Sequence, residues 1–172
     1  MKNYLIVDGY NIIYAWPELE KIKNASLENA RSRLVEILVN HVALSEEQVF
    51  IVFDAYKVKE GSQRKELIND NITIFYTQEG ETADTLIEKL VWQLTKEKAT
   101  VAVVTSDYNI QHIIFGQGAS RLTPRELRAR VKQAQTEMKE YCSPDGPVGN
   151  NLENRLVEDV RVILEKWRRE KK

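Results

Sequence analysis

"YLIVDGYNIIY", residues 4–14, begins with a short run of β-favouring residues and halts on Asp8, Gly9, Tyr10 and Asn11. A run this short, apolar throughout and bounded by turn-forming residues, reads as a strand buried on both faces. The pattern recurs. "VFIVF" (49–53) stops on Asp54, "NITIFYT" (71–77) is a third run, and "TVAVVT" (100–105) leads straight into Ser106 and Asp107. Between the runs the apolar spacing is mostly helical. Ser26 is an N-cap for a helix over about 27–43, and Thr82 for one over 83–97. A short helix is expected after Asp107, followed by a turn and a short fifth strand within "FGQGASRL". "TPRE" (123–126) is a capping box with proline at the first helical position, opening a helix that runs to about 140. All-apolar strands separated by helices require a largely parallel sheet covered on both sides, a three-layer α/β/α sandwich. Residues 55–70 fit a short helix or a loop.

The chain has 172 residues, 42% apolar and 30% charged, with a formal net charge of −1. That length suits one domain with a real core, and the charge balance confines any polyanion-binding surface to a local patch. "SPDGPVGNN" (143–151) reads as a linker between a domain over 1–142 and a terminal amphipathic helix, about 152–170, that docks back onto it. Cys142 is the only cysteine, which rules out an intrachain disulfide and a cysteine-rich zinc site. The first apolar run is too brief for a signal peptide, and no stretch approaches the ~20 residues that span a bilayer. The expected location is cytoplasmic.

Parallel strands share one C-terminal edge, where ligands of open α/β sheets bind. Asp8, Asp54 and Asp107 all fall at that edge, and Asp84, in the first turn of the helix after the third strand, joins them. Each has an ordinary explanation on its own. Asp8 and Asp107 suit turns or helix N-caps, and Asp84 complements a helix dipole. Together they are harder to dismiss, because converging carboxylates repel unless a cation or raised pKa values relieve them. Oxygen donors without histidine or cysteine suit a hard cation, Mg²⁺ or Mn²⁺. His41 and His112 lack partners at metal-ligand spacing and read as structural. Neither a G-x-G-x-x-G nor a G-x-x-x-x-G-K-[ST] motif occurs. A carboxylate-held Mg²⁺ suits phosphodiester hydrolysis.

"VDGYN", "FDAY", "ETAD" and "TSD", in this order, resemble the NYN domain. With "IFGQGASRLTPREL" and "EKWRR" the whole chain is similar to the YacP-type NYN proteins of bacteria. The resemblance implies a PIN-like sheet and a metal-dependent endoribonuclease using one or two ions. It implies that Asp8, Asp84 and Asp107 hold the metal and that Asn11 binds the substrate phosphate or orients the metal's water. Asp54 stands beside them, and Glu81, Glu88 and Ser106 form a second rank. It further implies RNA, mRNA above all, as substrate and the ribosome as a partner.

Tyr10, Tyr56 and Tyr108 lie within two residues of Asp8, Asp54 and Asp107. At least one is expected to stack a base of single-stranded RNA; the alternative is that they close the top of the core. Lys57, Lys59, Arg64 and Lys65, then Arg121, Arg125, Arg128 and Lys132, are the candidates for the phosphate backbone. Three rival readings are a non-catalytic RNA-binding module, a DNA nuclease, and a receiver-like phosphoacceptor using Asp54. The last lacks the acidic pair and the strand-end lysine of receivers.

Overall fold

The side chains of β1 (Asn3–Asp8) alternate between two cores, and this sets the layers of the molecule. Leu5 and Val7 enter one core, and Ile6 enters the other. The computed structural model describes residues 1–55, 65–142, 160 and 162–167. Within them α1 (Gly9–Ala15), α2 (Pro17–Ala25) and α3 (Leu27–Val42) follow β1, and β2 (Gln48–Phe53) comes next. The edge hairpin is β3 (Lys65–Asn69) and β4 (Ile72–Tyr76). Then come α4 (Ala83–Lys96), β5 (Thr100–Val104), α5 (Tyr108–Gly116), β6 (Ser120–Leu122) and α6 (Pro124–Tyr141).

The six strands form one sheet in the order β3-β4-β2-β1-β5-β6. All neighbouring pairs are parallel except β3 with β4. The core on one face takes side chains from α1, α2, α3 and α6, and the core on the other face takes them from α4 and α5. This is a three-layer α/β/α sandwich with a mostly parallel sheet, as the apolar runs require.

Three elements depart from the expectation. Residues 9–25, to which the apolar pattern assigns no element, carry two helices. Asp8 caps the first, and Pro17 occupies the opening turn of the second. Residues 65–69 form an edge strand where a helix or loop was expected. Its hairpin is fixed by Asn69, whose Oδ1 accepts from the N–H groups of Asn71 and Ile72 at 2.9 and 2.8 Å. The linker over 143–151 lies outside the described residues. Of the terminal helix, residues 160 and 162–167 are described and are helical. Val160 and Trp167 pack against the core shared with α3, and Trp167 Nε1 donates to Glu66 Oε1 at 2.9 Å. No helix among the described residues is long and apolar enough to cross a membrane.

Candidate functional site

From β1 the chain winds to β2 and β4 on one side, then returns to β5 and β6 on the other. The C-terminal ends of β1 and β5 therefore flank the switch point, where connections leave in opposite directions and a crevice opens. Asn11 and Ser106 join the two ends. Asn11 Nδ2 donates to Ser106 Oγ at 2.8 Å, and the N–H and Oγ of Ser106 each reach Asn11 Oδ1 at 3.1 Å.

The four aspartates converge on this edge, and three of them also hold up the structure. Asp8 caps α1, accepting from the Asn11 N–H at 3.3 Å. Asp107 caps α5, accepting from the Asn109 N–H at 2.8 Å, while its own N–H donates to the buried Thr105 Oγ1. Asp54 accepts from the Ala83 N–H at 3.0 Å and so ties the end of β2 to the first turn of α4. Asp84 is the next residue in that turn. Partial burial, then the charges of Asp107 and Asp54, push its carboxyl above the usual aspartate range. The end of β5, the end of β2 and the start of α4 thus act on one carboxyl group.

Among the described residues no three His, Cys, Asp or Glu side chains stand together as a ready-made metal cage. The donor set still fits a hard cation, since it consists of oxygens alone. Mg²⁺ commonly keeps several waters and takes only one or two carboxylates from the protein. Asp84, crowded by like charge, is where such an ion would be best compensated.

The second rank divides. Ser106 belongs to the site through Asn11. Glu81 is committed to the approach to α4, where it accepts from the Gln78 N–H at 3.0 Å and pairs with Lys89 at 2.6 Å. Glu88 is an exposed residue of α4.

The expected RNA contacts need correction. Tyr10 is only 4% exposed, sits edge-on to Phe53, and accepts from Arg31 Nη1 at 2.9 Å, so its ring offers no face to a base. Tyr108 is 71% exposed. Arg128 does not join Arg125 and Lys132 in an open basic row, because both oxygens of Glu18 grip its guanidinium, at 3.1 and 2.9 Å. Arg125 and Lys132 are exposed. Lys65 opens β3 opposite Phe75, near the C-terminal end of β4, with its ammonium 5.5 Å from that ring's centre. Tyr56, Lys57, Lys59 and Arg64 lie outside the described residues.

Residues 5–169 match the YacP-like NYN domain. The chain belongs to this family. As a YacP-like NYN protein it is 39% identical to the Bacillus subtilis (strain 168) protein described as uncharacterized protein YacP, over 96% of both chains. It also resembles the crystal structure of Rae1 (YacP) from Bacillus subtilis, with a TM-score of 0.70 and 35% identity, covering 96% of this chain and 94% of that one. The W164L mutant of the same protein gives a TM-score of 0.70 at 34% identity, over 91% of this chain and 89% of that one.

Several residues of this YacP-like site escape a reading of strand ends. Arg31 fixes Tyr10 from α3, and Gln111 accepts from Arg121 Nη1 at 2.8 Å. Neither has a local signal, since each partner comes from another element. Thr105 could have been found, because a threonine just before Ser106-Asp107 can bond the backbone two residues on.

Proposed function

We propose that this YacP-like NYN protein is a metal-dependent endoribonuclease that cuts single-stranded RNA in the cytoplasm, with mRNA, free or on the ribosome, as its substrate. The observation that carries the reading is the convergence of Asp8, Asp54, Asp84 and Asp107 on the switch-point edge, with the Asp84 carboxyl raised by partial burial and then by the charges of Asp107 and Asp54. Membership of a nuclease-like family supports it.

Asp8, Asp84 and Asp107 would hold Mg²⁺ or Mn²⁺, as one ion or two, one or two of the carboxylates directly and the others through the ion's waters. The bound ion supplies a water of lowered pKa and compensates charge on the phosphodiester. The remaining work falls to the protein. Asn11 is fixed by Ser106, and its second amide hydrogen, which bonds nothing among the described residues, is placed to donate to a phosphate oxygen. Asp54 is a positioning residue, because through the Ala83 amide it sets where α4 presents Asp84.

A non-catalytic RNA-binding module is the second reading, favoured by the lack of a ready-made cage among the described residues. Cleavage of an end-labelled mRNA, free and ribosome-bound, separates the two. The arms are Mg²⁺ or Mn²⁺ against EDTA, and wild type against Asp8→Asn, in which the asparagine oxygen can still cap α1. Cuts that require both the metal and Asp8 are expected. A folded wild type that binds RNA and never cuts it, in any arm, would overturn the nuclease reading.

A further inference from the structure

Beside Asp107 the surface carries an exposed aromatic ring faced by an anchored arginine. Tyr108 opens α5 with 71% of its surface in solvent. The Arg121 guanidinium lies over its ring, 5.5 Å from the centre. Arg121 is itself anchored, with Nε donating to the Thr105 carbonyl at 3.0 Å and Nη1 to Gln111 Oε1 at 2.8 Å. Those anchors come from the β5–α5 connection, which carries Ser106 and Asp107, and from α5 itself. The anchored guanidinium thus faces the ring, most of whose surface remains in solvent.

We propose that Tyr108 and Arg121 form a nucleobase-stacking subsite, in which one unpaired base adjoining the cleaved phosphate lies on the open face of Tyr108. Arg121 is the positioning residue that fixes the ring. The proposal rests on reading this edge as a ribonuclease site and names what that site selects. A base inside a duplex has both faces covered by its neighbours, so a fixed platform accepts only an unstacked nucleotide. Stacking on an aromatic ring tolerates every base, which makes the subsite selective for single strands and not for sequence. Arg121 Nη2 bonds nothing among the described residues and is available to the phosphate that follows the stacked base.

The test uses the full chain carrying Asp8→Asn, so that RNA survives, and single-stranded oligoribonucleotides with one 2-aminopurine moved along the sequence. Stacking should quench fluorescence at each position that the single strand can place on the ring, and at none within a duplex. Tyr108→Phe should keep that quench. Tyr108→Leu should abolish it and weaken binding by roughly 5- to 150-fold, the usual worth of one stacked base. Arg121→Lys retains the charge but loses the two anchors, and it should reduce the depth of the quench while Tyr108→Phe does not. Equal affinity and quench for Tyr108→Leu and Tyr108→Phe would overturn the subsite, as would equal affinity for duplex and single strand. Wild-type cleavage on the same oligonucleotides is scored separately. Cutting without a Tyr108-dependent quench leaves the nuclease reading and removes this one. A quench without cutting does the reverse, and a folded protein that binds no RNA removes both.

Discussion

Gly9 shows how little room a single residue has beside the site. A Cβ there would lie 2.2 Å from the Phe53 ring. Phe53 cannot yield, since it is 1% exposed and held between the rings of Tyr10 and Tyr76. Gly9→Ala should therefore destabilise the fold by about 1–3 kcal/mol in urea unfolding, the usual range for overpacking. Gly116→Ala is the control. Nothing lies within 4 Å of the Cβ it would gain, so no comparable loss is expected. Tyr10 makes the complementary point about legibility. Read as a turn residue, it could face the cleft. As the second residue of α1, capped by Asp8, it is turned into the core. Its position in the chain was plain, but the direction of its side chain depended on a helix that had not been read.

That helix was hidden because α1 spans only 7 residues, too few to establish a 3.6-residue period. The other missed elements have equally physical reasons. In β3 (KELIN), an edge strand, only Leu67 and Ile68 are apolar, so it carries no buried run. The four parallel runs, by contrast, were legible because burial on both faces demands apolar residues at every position. The misreading of α6 follows from α2. The partner of Arg128 is Glu18, 110 residues away, in a helix the sequence did not announce. Arg128 thus joins α6 to α2, and Arg128→Ala should lower the melting temperature slightly while leaving the salt dependence of RNA binding unchanged. A flattened salt slope would return Arg128 to the phosphate contacts.

For the molecule as a whole, acid sensitivity should have a source far from the carboxylates. Burial holds the His41 imidazole, in the last turn of α3, below the usual histidine range; Glu47 opposes this and Arg130 adds to it. Its Nδ1 is buried with no partner among the described residues. The folded state therefore favours the neutral ring. Its contribution is complete above a pH of about 6.5, the unfolded value, and is lost as the pH falls below that. Thermal melts between about pH 7 and 5 should show this loss, and His41→Gln should reduce it. A wild-type melting curve with the same slope as the variant would assign the sensitivity elsewhere. The sheet edge carries a different consequence, on the scale of descent. Asp8, Asp54 and Asp107 each accept a backbone amide that starts a helix. Asp84 accepts none among the described residues. Selection for folding alone would keep a capping side chain (Asp, Asn, Ser or Thr) at the first three positions in any lineage, whether or not its members still cut RNA. The mark of an inactive descendant would be drift at position 84, the acid whose removal relieves repulsion and costs no cap.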